Sequence, residues 1–162
     1  MTAIVTPEFR GNFVSVLEPK EDLSGRMKYS IAMTFPKDDP FWDKLQEKMD
    51  QACVEKWGKA VKYIHHIKST DAKEYYPDGH KAFTASNLKK PEVLVREEDG
   101  TLREPISPDE IYSGAIYKAQ IRCYGSENSG KGVFFSLDNL LKVRDGDKIG
   151  MKKESAADVD WD

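Results

Sequence analysis

Cysteine and histidine are scarce in this chain of 162 residues, which has two of the first and three of the second. Cys53 and Cys123 show no CxxC or other metal spacing, so they form neither a disulfide framework nor a zinc site and read as reduced, buried thiols. His65 and His66 are adjacent and on an extended segment would point to opposite faces; neither they nor His80 with Asp71 have the spacing of a metal centre. Long apolar runs are missing too. No stretch approaches the roughly 18 uninterrupted apolar residues of a membrane span. The opening "MTAIVTPEFRGNF" has neither a basic leader nor an apolar segment long enough for secretion. A cytoplasmic protein with no membrane contact is therefore expected. Catalytic signatures are absent as well. "GSENSGKG" lacks the GxxxxGK[ST] of a phosphate loop and sits between two strands, and no Gly-x-Ser-x-Gly or paired-carboxylate pattern stands out. Neither a cofactor nor a metal is expected.

What is present is a globular composition: 39% apolar and 33% charged residues, with a formal charge of −3. The charge is unevenly spread. Residues 1–50 carry 7 bases and 9 acids, 51–90 carry 8 and 4, 91–150 carry 8 and 11, and 151–162 carry 2 and 4. The acidic chain thus has a middle of net +4, in which lysines alternate with Trp57, Tyr63, Tyr75, Tyr76 and Phe83. Ammonium groups interleaved with flat rings suit a nucleic-acid strand, the first for phosphates and the second for bases.

Periodicity supplies the elements. "FRGNFVSVLEP" reads as a first strand, and "RMKYSIAMTF" alternates between an apolar face (Met27, Tyr29, Ile31, Met33, Phe35) and a polar one (Arg26, Lys28, Ser30, Ala32, Thr34). The segment 36–59 predicts a helix with an aspartate cap, Pro40 at its start and Gly58 past its end; Trp42, Leu45, Met49, Cys53 and Trp57 form its buried stripe. A turn-rich loop follows to Gly79, then the strands "HKAFTAS" and "PEVLVR", joined by a basic "NLKKP". In "IYSGAIYKAQIRCYG" the odd positions Ile111, Ala115, Tyr117, Ala119, Ile121 and Cys123 are the core side, and Lys118, Gln120, Arg122 and Tyr124 face water. In "GVFFSLDNLLKV" Val133, Phe135, Leu137, Leu141 and Val143 are core, and Phe134, Ser136, Asp138 and Lys142 face out. Short antiparallel strands around one good helix predict a mainly β fold: an OB-fold-like five-stranded barrel with one capping helix over residues 1–150. Residues 151–162, "MKKESAADVDWD", have no periodicity and are expected to be a disordered acidic tail.

Charge and strand parity together select a nucleic-acid-binding set. Lys56, Lys59, Lys62, Lys68, Lys73, Lys81, Lys89, Lys90, Lys118 and Arg122 would pair with phosphates, and Tyr75, Tyr76, Phe83, Tyr124 and Phe134 would stack bases.

The stretches "YPDGHKAFTASNLKKPEV", "IYSGAIYKAQIRCY" and "GKGVFFSLDNLLKVRDGD" resemble the bacteriophage and prophage single-stranded DNA-binding proteins, formerly a domain of unknown function, over most of residues 9–150. The resemblance implies an OB-fold that binds single-stranded DNA in phage replication or recombination, in the cytoplasm of an infected or prophage-carrying cell, without catalysis. Bacterial and some phage proteins of this kind end in a disordered acidic tail whose terminal aromatic docks on replication partners. "DVDWD" is similar in kind, which makes Asp158, Asp160, Trp161 and Asp162 the partner-binding candidates. Two other readings stay open: a metal-dependent nuclease or other enzyme of phage DNA metabolism, built from carboxylates that converge in space, and a protein-interaction module. The sequence leaves oligomeric state open and is compatible with a homo-oligomer.

Overall fold

The helix forms where its signals lie, as α1 (Phe41–Trp57) in the computed structural model, which describes residues 2–128, 130–149 and 160–161. The Asp39 carboxylate accepts the Phe41 N–H at 2.8 Å. Gly58, with φ of 74°, ends the helix by donating its N–H to the Val54 carbonyl at 2.7 Å. Phe41, Leu45, Met49, Ala52 and Cys53 form the buried face, with Trp42 and Trp57 half-buried at its margins. Truncating Leu45 or Met49 to alanine would cost about 2–5 kcal/mol.

Ten strands complete the fold among the described residues: β1 (Ala3–Val5), β2 (Phe9–Arg10), β3 (Asn12–Glu21), β4 (Met27–Pro36), β5 (Lys68–Ser69), β6 (His80–Asn87), β7 (Glu92–Arg96), β8 (Leu102–Arg103), β9 (Ile116–Ser126) and β10 (Gly132–Arg144). A 3-10 turn, Pro108–Glu110, precedes β9. The main path of the sheet runs β1-β9-β10-β6-β4-β3. β10 pairs in parallel with β6 and β7, and the other ladders are antiparallel.

The mainly β, OB-fold-like architecture with one helix is as expected, and only its barrel detail is looser, because the sheet path is not closed and ends at β3. The chain itself runs from the β9 side of the sheet straight to the β4 side. β2 pairs with β9 through Phe9 and Tyr117, and one residue later β3 begins to pair with β4 at Asn12 and Ala32. Gly11 makes the crossing, donating its N–H to the Ala115 carbonyl and accepting from Gly114 N–H. A Cβ on Gly11 would stand 2.7 Å from the Tyr117 ring and 3.0 Å from Ile31 Cδ1, so only glycine passes there.

Parity in β9 is as expected, with Tyr117, Ala119, Ile121 and Cys123 buried. The strand begins at Ile116 rather than Ile111, since Ser113 and Gly114 form a turn and Gly114 has φ of 114°. In β10 the pattern holds through Leu137 and then inverts. Leu137 faces Ile121 and Asn139 faces Gln120, so Asp138 is one extra residue in the ladder. Leu140 and Lys142 are consequently buried, and Leu141 and Val143, expected in the core, are half-exposed. The buried Lys142 is satisfied by Asp145 at 2.6 Å, and its ammonium lies 5.1 Å from the Tyr112 ring centre. On β4, Ala32 and Thr34 are buried rather than wet, with the Thr34 hydroxyl 3.1 Å from His80 Nδ1, whereas Met27, expected in the core, is exposed at the strand end.

Candidate nucleic-acid interface

Alternation places Tyr124 and Phe134 directly opposite one another on the outer face of β9 and β10, with ring centres 6.1 Å apart. Ile64 bridges the start of β10, donating its N–H to the Lys131 carbonyl and accepting from Val133 N–H. That bridge brings the His66 ring within 5.7 Å of Phe134. Gly132 leaves room for the Phe134 ring, since a Cβ there would meet it at 2.9 Å.

Beside these rings the register lines up Arg122, Ser136, Ser86 and Ser30 across four adjacent strands. The three serines are half-buried and form a low floor over which a chain can approach the sheet. The floor is fixed by hydrogen bonds. Asn87 Nδ2 donates to Ser136 Oγ at 3.2 Å and to the Leu137 carbonyl at 3.1 Å, and Ser136 Oγ donates to Asp138 at 3.0 Å. Asp138 also holds Arg122 at 3.3 Å, which neutralises the carboxylate nearest the floor.

Two clefts, of about 630 and 330 Å³, share Lys28, Ser86 and Tyr124 and so form one groove. Arg26, Lys28, Lys56, Lys89 and Arg122 line the first, and Lys28, Lys68 and Lys73 the second; Glu55 is the one carboxylate among the lining residues. Seven bases against one acid invert the sign of a chain whose net charge is −3.

Lys73 and Tyr76 reach the groove from the loop 70–79, which is tied internally. Asp71 accepts the Gly79 N–H at 2.7 Å and the Lys37 ammonium at 2.7 Å. Those two contacts, the backbone bond first, hold its carboxyl at about 2, below the usual range. Thr70 Oγ1 donates to the Pro77 carbonyl, and the buried Asn12 donates to the Tyr75 carbonyl at 2.8 Å. Partial burial pushes the Tyr76 phenol upward, and the Glu74 charge does the same to Tyr75.

Of the candidates, Lys56, Lys68, Lys73, Tyr76, Lys89, Arg122, Tyr124 and Phe134 meet in this groove, and Tyr75 stands at its end beside Tyr76. Others fall elsewhere. Lys59 and Lys62 are exposed on the connector after α1, and Lys81 lies 5.8 Å over the Trp42 ring. Lys90 lines a separate cleft with Pro91 and Glu92, and Lys118 another with Leu94 and Leu141. Phe83 lines the second cleft, but it is 3% exposed and packs 4.5 Å from Phe135, so its ring belongs to the core rather than to a stacking face. Arg26, Lys28 and His66 were missed as groove residues, although the polar face of the β4 alternation already carried the first two. Asp160 and Trp161 of the tail are exposed, whereas Asp158, Asp162 and the expected disorder of 151–159 lie outside the described residues. Among the described residues no three His, Cys, Asp or Glu side chains gather as a metal site, and no helix is long and apolar enough to cross a membrane.

An OB-like sheet packed on one helix, with a cationic, ring-walled groove lined from both, has the features of the strand-binding OB-fold class. The chain belongs to the family of the Enterobacter phage Enc34 ssDNA-binding protein, whose family model matches residues 2–162. It is similar to the single-stranded DNA-binding protein of bacteriophage Enc34 solved in complex with ssDNA, with a TM-score of 0.75 and 25% identity over 92% of this chain and 90% of that one. A second structure, gp2.5, a single-stranded DNA-binding protein encoded by bacteriophage T7, shares the fold at a TM-score of 0.60 and 15% identity, covering 96% of this chain and 91% of that one. Protein p50 of Acyrthosiphon pisum secondary endosymbiont phage 1 is 29% identical over 151 residues, 83% of this chain and 79% of its own length.

Proposed function

We propose that this chain is a non-catalytic, largely sequence-independent single-stranded DNA-binding protein of phage DNA replication and recombination, working in the cytoplasm of the bacterial host. The observation that carries the reading is the groove in which seven bases and one acid surround a serine floor beside Tyr124 and Phe134. Lysine and arginine side chains pair with phosphates, and Tyr124, Phe134 and His66 offer rings to successive bases. A base has a π-face whatever its identity, so such stacking tolerates any sequence. Membership of the Enc34 family supports the same reading.

Fluorescence titration with labelled oligo(dT) at two salt concentrations, with duplex DNA alongside, tests it. Each neutralised phosphate on a single strand should lower log K by about 0.7 per log unit of salt. Absent or salt-insensitive binding overturns the reading, and loss of labelled DNA in magnesium that EDTA prevents points to a nuclease instead.

The acidic tail is proposed to serve twice: as a polyanion that competes for the groove when DNA is absent, and as the segment that Trp161 offers to replication or recombination proteins. Lys148 and Ile149, at its base, line a cleft with Tyr75 and Tyr76 beside the groove, and the 13 residues beyond Ile149 can span up to about 45 Å. Removing residues 151–162 should tighten DNA binding at low salt and change it less at high salt. Unchanged affinity would leave the tail without this role.

A further inference from the structure

Phe13 occupies a position that stability does not explain. From Asn12 to Ser15, β3 advances three residues while its partner β4 retreats two, from Ala32 to Ser30, so β3 carries one extra residue there. Phe13 lies in that bulge with φ of 49°, a left-handed conformation that suits glycine or asparagine. Its ring gains little burial in return, being 58% exposed. Across from it Tyr75 has φ of 70° and is 40% exposed. The two rings meet at 6.4 Å and 81°, and Tyr76 stands 6.1 Å from Phe13. The buried Asn12, next to Phe13 in the chain, holds the Tyr75 carbonyl and locks the two strained segments together. Left-handed aromatics that stay largely exposed and are fixed by a part-buried hydrogen bond point to a functional constraint. Tyr76 connects this cluster to the groove, since it lines both the cleft of Tyr124 and Phe134 and the cleft of Tyr75.

We propose that Phe13, with Tyr75 and Tyr76, forms a terminal subsite that takes one unpaired nucleobase at the end of the strand lying in the groove. The inference rests on the single-strand-binding reading above and adds to it a polarity: one end of the strand is gripped by rings. The near-perpendicular contact of Phe13 with Tyr75 does not stack the two rings face on face, so a base can supply the stacking partner. Lys73, on the same loop, lines the cleft of Tyr76, Tyr124 and Phe134 and would take the adjoining phosphate.

The test compares the full-length chain with Phe13→Gly and Phe13→Tyr. The probe is oligo(dT) of about 12 nucleotides, within the range an OB-fold covers, carrying one 2-aminopurine at the 5′ end, the middle or the 3′ end. Phe13→Gly relieves the left-handed backbone, so its melting temperature should hold or rise. Its affinity should nevertheless fall about tenfold, the equivalent of losing one stacked base, with quenching released at one end of the oligonucleotide only. Phe13→Tyr should restore both. The subsite is overturned if Phe13→Gly binds like the wild type, if quenching is released equally at all three positions, or if affinity falls only together with melting temperature and Phe13→Tyr does not restore it. Failure of the wild type to bind the probe would count against the functional reading itself. Normal wild-type binding with an unaffected Phe13→Gly would count against the subsite alone.

Discussion

The two halves of the β9/β10 ladder share strands, pairing and an outward face, yet they differ in chemistry. Above the Asp138 bulge the face presents Tyr124 with Phe134 and Arg122 with Ser136; below it come Gln120 with Asn139 and Lys118 with Leu141. The upper half is walled by rings and rimmed by cations. The lower half has no outward ring and mixes Lys118, Arg96 and Glu92 with the apolar Leu94, Leu102 and Leu141. A single extra residue separates them, because it turns Leu140 and Lys142 inward and commits the lower part of β10 to holding Tyr112 and Asp145. Outward-facing parity is therefore insufficient to mark a binding residue, and the continuous groove is the stricter criterion.

The harshest way to break this contrast is Leu140→Asp, at the residue that the extra position turns into the core. A carboxylate buried there without a partner should cost about 3–5 kcal/mol, a large share of the whole stability of a domain, and circular dichroism should show the cooperative melt lowered or lost. A milder change sharpens the comparison. Tyr124→Ala combined with Phe134→Ala should weaken oligo(dT) binding by about 2–6 kcal/mol, one stacked base per ring, with little change in melting temperature. Lys118→Ala, on the same face below the bulge, should alter affinity by about twofold or less and leave the salt slope unchanged. Equal effects from the two halves would dissolve the distinction.

The smallest effect concerns the loop that brings Lys73 and Tyr76 to the groove. Because the Asp71 carboxyl is held at about 2, below its unfolded value, its contribution is complete above the unfolded pKa and is lost as pH falls towards the folded value. A carboxyl NMR titration should give Asp71 a midpoint near 2, with the Gly79 amide shifting in step. A midpoint in the ordinary aspartate range would mean that the clamp is not formed in solution.

Much of this was legible in the chain where local chemistry decides. Asp39, Pro40 and Gly58 delimit α1 because helix ends need partners for their free amides and carbonyls. The period of two assigned β9 and the first half of β10, and the same period assigns Phe83 to the core with Ala85; grouping Phe83 with nearby lysines misplaces it. The bulges at Asp138 and Phe13 were not legible, since an inserted residue leaves no mark in composition and is felt only through the partner strand. The pairing of Tyr75 with Phe13, 62 positions apart in the chain, likewise exists only once the loop is docked on Asn12. The short strand β1 offers too few residues to establish a period.

Gly11 gives the molecule a clasp. The chain steps from β9 to β4 within one residue, and no hydrogen-bonded ladder spans that step. A peptide cut at Gly11 would leave every ladder intact and still part β2 on β9 from β3 on β4. A circular permutant opened at this position should be far less tolerant of heat than one opened in the exposed turn at Asp99 and Gly100, although neither loses a side chain. Resistance to unravelling is thus concentrated at the crossing residue that has no side chain of its own.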